Sequence, residues 1–403
     1  MRRIVYLVEQ PLDERNFDRF GVQSWADRGW DVQVWDLTPL ARPLAWEKHL
    51  AAGRTVKTFD GYHLIESPRQ LRRKCATIGK VDCYVDFTAD HPSLFRAKWR
   101  LARSGATRAV CRLGSIPEPS DDAPPRIMTK VERAWRGGPI RFIINVLRRL
   151  VAPLIRPGLV IVSGAKETRT AIASGYGQAI LQAHNFDYDV CLRHAEATTL
   201  ATDGFAVFLD QDLCFHPDFV AEMVAAVVTP QRYFPTLCRG LRLMSGRLGV
   251  GVRVAAHPRS TYGKAPIDYF EGISIEYGNT VRLIARSAFV VCHSSAAIQF
   301  AVLFEKPIVF VTTAELASSA WGKHVEKFAS VLGKSVINLD GDLDAIDWHR
   351  ELRVDRQRYL AYAREYIKAE GSPDVPLWDL VIDHFEQPLV PAVADDARNA
   401  TAP

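Results

Sequence analysis

What most constrains this chain is the regular alternation of short apolar runs with longer amphipathic segments. Strand-like runs lie at 3–8, 31–37, 61–67, 81–87, 107–114 and 159–164, with helix-length segments at 16–28, 69–78 and 92–104. A second series has strands at 179–184, 205–210, 252–256, 289–293, 307–312 and 335–339. Its helices are expected near 216–228, 231–247, 279–287, 295–305 and 316–332. Strands that alternate with helices form parallel sheets covered on both faces.

The 403 residues suffice for two such domains. Asp203-Gly204 precedes a new strand, so the boundary is expected within 190–204. That gives a first domain over 1–195, a second over 196–385, and a Pro-, Ala- and Asp-rich tail at 386–403 expected to be disordered. An amphipathic helix at 353–369 carries Tyr359, Tyr362, Tyr366 and Ile367 on one side and is expected to cross back to the first domain.

Composition excludes several classes. Hydrophobic content of 48% with 24% charged residues fits a globular protein, and a net charge of +5 does not imply a nucleic-acid partner. The seven cysteines form no CxxC, which predicts free thiols in a reducing compartment and no metal site. No GxGxxG or P-loop occurs, which argues against dinucleotide oxidoreductases and P-loop NTPases. The apolar run after Met1 is too short for a signal peptide, and no stretch reaches membrane-span length. Residues 126–156 stand apart, with eight Arg or Lys against one acid and apolar residues interleaved. A basic amphipathic segment of this kind predicts attachment to an anionic membrane surface.

The chemistry concentrates at predicted strand ends, where parallel sheets bind ligands. His257-Pro258-Arg259 follows the run 252–256 and offers cationic groups to a phosphate. His293-Ser294-Ser295-Ala296 follows the run 289–293 and is read as hydroxyls opening a helix, an anion site, with His293 secondary. Asp210-Gln211-Asp212 ends the run 205–210, with Asp210 the expected base or nucleophile and Asp212 the alternative. Glu276 is expected to reach ribose hydroxyls, and Glu9, Asp13, Asp86 and Asp90 are acceptor-side candidates.

These residues resemble a family. His257-Pro258 and Ser294-Ser295, in this order and spacing, are similar to the His-Pro and Ser/Thr-Ser/Thr motifs of GT-B glycosyltransferases that use CMP-activated acidic sugars. Those are the bacterial sialyl-, polysialyl- and Kdo transferases. The resemblance implies two Rossmann-type, doubly wound domains facing a cleft, with the His and the hydroxyl pair on the CMP phosphate. The acidic-acidic-Gly motif of many sialyltransferases has no clean copy; Asp203-Gly204 and Glu271-Gly272 lack the double acid. The expected activity is transfer of Kdo or another nonulosonate to a surface glycan or lipid-linked acceptor, without cofactor or metal, on the inner face of the cytoplasmic membrane. A UDP-sugar or CDP-glycerol donor, or a non-catalytic membrane-docking role, are the alternatives.

Overall fold

The computed structural model describes residues 2–122, 156–193, 203–216 and 226–387, apart from Ala52, Arg54, Asp90 and Ala265. The basic segment 126–156, except Arg156, lies outside the described residues, as do most of the helix expected at 216–228 and the tail from 388.

Seven strands build the first sheet: β1 (Arg3–Val8), β2 (Asp31–Asp36), β3 (Tyr62–Leu64), β4 (Cys83–Asp86), β5 (Thr107–Arg112), β6 (Leu159–Ser163) and β7 (Ala179–Ala183). Their order is β3-β2-β1-β4-β5-β6-β7, and every pair is parallel. The second sheet holds β8 (Phe205–Leu209), β9 (Gly251–Ala255), β10 (Ser274–Glu276), β11 (Phe289–Cys292), β12 (Ile308–Thr312) and β13 (Val336–Asn338). Its order is β10-β9-β8-β11-β12-β13, again parallel throughout. The central strands of the second sheet, β8 and β11, are apolar at every position because helices cover both faces: β8 reads Phe-Ala-Val-Phe-Leu and is wholly buried. Strand order reverses at β1/β4 and again at β8/β11, the switch points where a crevice opens beyond the strand ends.

Three expectations are corrected. The run 179–184, grouped with the second series though inside the first domain's bounds 1–195, belongs to the first sheet, since β7 pairs with β6. β10 was not expected; three residues at a sheet edge carry too little periodicity to be read. The helix expected at 353–369 runs Arg356–Tyr362 and continues as a π-turn, Ala363–Ile367. Its aromatic side packs in the second core, where Tyr359, Tyr362, Tyr366 and Ile367 meet Cys292 and Phe310, while its π-turn touches the first domain as expected, Glu365 pairing with Arg169 and Lys166 lying over the Tyr366 ring. A later, unexpected helix, Leu377–Glu386, crosses back fully: its Leu377, Trp378, Val381 and Ile382 enter the first core.

The crossing is held by His184–Asp189. The Asn185 amide donates to Ile367 O at 2.9 Å, and Ala369 N donates to Ala183 O at 3.1 Å. A His184 ring nitrogen pairs with Val375 O at 2.8 Å, and Leu377 N donates to Asp189 Oδ1 at 2.7 Å. Asn185 also hydrogen-bonds Gln299 of the second domain, and Gln299 donates to Ser115 O at 3.4 Å. Gly164 has φ +68°, and a Cβ there would collide with the backbone of Glu365.

Candidate functional site at the second switch point

Three loops meet beyond β9, β8 and β11, which are adjacent in the sheet. The middle loop, Asp210-Gln211-Asp212, touches both neighbours. Asp210 Oδ2 accepts the backbone N–H of His257 at 3.1 Å, on the loop after β9. Gln211 Oε1 accepts the backbone N–H of Ser294 at 2.9 Å, on the loop after β11.

His257 is pinned at several atoms. Its carbonyl accepts from Ser260 N at 2.9 Å and Ser260 Oγ at 2.8 Å. Its Nδ1 accepts the Arg259 amide at 3.3 Å. A ring nitrogen that accepts carries no hydrogen, so this bond selects the tautomer with hydrogen on Nε2. The ring lies 4.8 Å from that of His216, and Arg259 Nη2 stands 3.4 Å from His216 Nε2. His216 was not singled out in the sequence, because its partners His257 and Arg259 are remote in the chain. Pro258 is exposed at the turn.

The Ser294 side chain is buried and its Oγ accepts from Trp321 Nε1 at 3.0 Å. Ser295 is half-buried, Ala296 is exposed, and Ser295 Oγ accepts Ala297 N at 3.3 Å. The helix expected from residue 295 begins only at Ile298 and has six residues, because a turn over 295–298 intervenes. The N–H groups of Ser295 and Ala296 donate to no atom among the described residues. The loop thus offers two amides and a hydroxyl hydrogen, and the helix behind it is too short to add much field.

Asp210 is 5% exposed and accepts three further hydrogen-bond donors besides its own backbone: His257 N, Asp212 N at 3.0 Å and Tyr262 OH at 3.2 Å. Tyr262 OH also lies 3.0 Å from Asp212 Oδ1, so one phenolic hydrogen serves two carboxylates. Burial pushes the Asp210 carboxyl up to about 6, against the pull of those hydrogen bonds. Burial and the charge of Asp210 push Asp212 up to about 7. Burial beside both carboxylates raises the Tyr262 phenol far above its ordinary value, so it stays protonated.

Two candidates sit apart from this cluster. His293 is fully buried; Nδ1 donates to Val311 O at 2.7 Å and Nε2 accepts from Tyr233 OH at 2.8 Å. Desolvation lowers it to about 4, so it is neutral, and both nitrogens are engaged within the core. The Glu276 carboxylate turns back along β9 to Arg253, 2.9 Å away, in a cup with Arg282 and Arg286. In the first domain, Asp86 is clamped by Lys98 at 3.2 Å and Arg108 at 2.6 Å, and its carboxyl is lowered because those cations outweigh burial. Glu9 holds Arg42 at 2.6 Å and the Ala89 amide at 2.9 Å, and Asp13 caps the helix Glu14–Arg19. Asp90 lies outside the described residues. Among the described residues no cluster of His, Cys, Asp and Glu could hold a metal ion, and no helix is long and apolar enough to cross a membrane.

Neither a family model nor a curated protein matches the chain. Solved structures do. The wall teichoic acid polymerase TagF matches at TM-score 0.54 and 11% identity, over 95% of this chain and 89% of that chain. A TagF variant soaked with CDPG matches at TM-score 0.52 and 9% identity, over 95% and 88%. MurG of Acinetobacter baumannii matches at TM-score 0.47 and 9% identity, over 95% and 99%. With its two facing parallel α/β sheets, the chain has the two-domain GT-B fold.

Proposed function

We propose that this chain is a transferase that moves an acidic sugar from a CMP-activated donor onto a surface glycan or lipid-linked acceptor. One observation carries the reading. At a single switch point the fold joins the His257–Arg259 loop, bearing a ring N–H and a guanidinium, to the Ser294–Ala296 loop, with its open amides. Strands β9 and β11 are two positions apart, so the loops stand about 10 Å from each other. That gap is within reach of the His257 and Arg259 side chains from one side and the Ser295 hydroxyl from the other, so both loops can close on one phosphate.

In this reading the acceptor hydroxyl attacks the anomeric carbon as the bond from that carbon to the phosphate oxygen breaks, the bond's electron pair leaving on that oxygen and the hydroxyl proton passing to solvent water. His257 Nε2–H and Arg259 donate to the departing phosphate, and Ser295 with the Ala296 amide holds its other oxygens; preformed donors of this kind stabilise developing charge. The buried Ser294 and exposed Pro258 shape the two loops. The sugar identity rests on the His-Pro and Ser-Ser resemblance. A second reading, a CDP-linked donor, is favoured by the likeness to TagF, which was soaked with CDPG. In either case the basic segment 126–156 would bring the enzyme to an anionic membrane carrying the acceptor.

The test is a thermal-shift panel of CMP, CDP, UDP and GDP. A cytidine nucleotide at 100 times its Kd should stabilise the protein by about 2.7 kcal/mol. Replacing His257 and Ser295 together by Ala should erase that shift without lowering the melting temperature of the ligand-free protein. If no nucleotide shifts the wild type, the reading is wrong.

A further inference from the structure

We propose that Asp210 and Gln211 are positioning residues: a two-armed scaffold on the central strand that sets the His257 loop and the Ser294 loop at a fixed separation. This rests on the reading above and replaces the base role expected for Asp210.

The geometry supplies the argument. Each arm ends in a carbonyl-type oxygen that accepts one backbone N–H from a neighbouring loop: Asp210 Oδ2 from His257 at 3.1 Å, Gln211 Oε1 from Ser294 at 2.9 Å. The arms leave adjacent residues just past β8 and reach its two opposite neighbours, the loops after β9 and β11. A brace holds the turn between them. Asp210 Oδ1 accepts the Asp212 amide at 3.0 Å, and Tyr262 OH bridges Asp210 and Asp212 at 3.2 and 3.0 Å. Asp212 adopts φ +52°, a left-handed conformation that brings its carboxylate round to that hydroxyl. A proton-accepting residue needs a lone pair open to the substrate; Asp210, 5% exposed and holding three donors besides its own backbone, is built to hold main chain instead.

The consequence falls on binding. The Asp210 arm fixes the backbone from which the Arg259 amide reaches His257 Nδ1, so it also selects which ring nitrogen carries hydrogen. The Gln211 arm holds Ser294, and the next two amides have no acceptor among the described residues.

Hydrogen exchange of the ligand-free protein, read on the His257 and Ser294 amides, tests the scaffold directly. Asp210→Asn, which keeps only one of the two acceptor oxygens, should speed exchange at His257 or at Asp212, and Gln211→Leu at Ser294, each by about tenfold, the loss expected for one hydrogen bond. Gln211→Glu, which keeps an acceptor, should restore protection at Ser294. Tyr262→Phe gives a milder loosening of the brace should Asp210→Asn fold poorly. With CMP and CDP as probes, Asp210→Asn should weaken binding about tenfold. The donor KM should rise while kcat at saturation changes less. Unchanged exchange in folded variants overturns the proposal. So does intact nucleotide affinity with turnover abolished, which would make Asp210 the base. If the wild type binds no cytidine nucleotide, the functional reading falls, and the exchange data still decide the scaffold.

Discussion

Tyr233 OH donates to Nε2 of His293 at 2.8 Å, tying the helix Pro230–Leu248 to the end of β11 inside a fully buried core. The same ring donates from Nδ1 to Val311 O on β12. His293 therefore joins three elements rather than facing a ligand.

The tie gives a pH dependence. Burial depresses His293 to about 4, below its ordinary value near 6.5. The unfolded chain takes up this proton first, so the contribution is complete above pH 6.5 and is lost as pH falls towards 4. Full loss amounts to about 3 kcal/mol. Urea melts from pH 7.5 to 4.5 should show a steeper decline for the wild type than for His293→Gln. Tyr233→Phe should cost about 1–3 kcal/mol at neutral pH by stranding Nε2 without a donor.

Asp212 has the opposite sign. Its carboxyl is raised to about 7, so its contribution is most favourable below its ordinary range near 4 and is lost as pH rises through 7. Asp212→Asn removes the charge, retains an acceptor for Tyr262, and tolerates the positive φ. The variant should melt higher than the wild type at pH 8, with the gap narrowing as pH falls from 7 towards 4.

Gly164 and Gly175 form a natural pair for separating strain from collision. Both have positive φ, +68° and +55°, but only Gly164 has backbone pressed against it, from Glu365. Gly175→Ala should cost about 1–2 kcal/mol, the strain of a left-handed residue. Gly164→Ala should cost clearly more, and small-angle scattering should register a change in domain spacing that Gly175→Ala does not produce.

Trp378 should prove one of the costliest single positions. It is 2% exposed, packs edge-on to Tyr6 at 5.4 Å, and donates from Nε1 to Arg19 O at 2.5 Å. Trp378→Ala should destabilise the protein by about 3–5 kcal/mol in chemical denaturation. A smaller loss would mean that the helix Leu377–Glu386 is only loosely docked.

The fold was legible where burial on both faces left nothing but apolar residues, as in β8 and β11. It was illegible in β10, whose three half-exposed edge residues have no such pattern. Strand-end polar residues were found as a class, yet their division of labour was hidden. His293 and His257 look alike in sequence; only Tyr233, 60 residues away, shows that one is core. Tyr262 and Gln211 gave no signal because their partners lie 50–83 residues distant, bonded through groups that any Tyr or Gln possesses. The crossing helix was missed because its predecessor carries the more regular aromatic stripe.

The return of Leu377–Glu386 to the first domain also sets a schedule. Arg2 reaches Phe385 O at 3.1 Å and Trp30 reaches Glu386 at 3.0 Å, so the opening strand and the last described helix are neighbours. During synthesis the first sheet emerges early, but Trp378 and Ile382, which fill its core, emerge only after the whole second sheet has been made. The second domain, with every strand between 205 and 338, can close while the first still waits with its tryptophans uncovered. The half of the molecule made first is thus the half completed last.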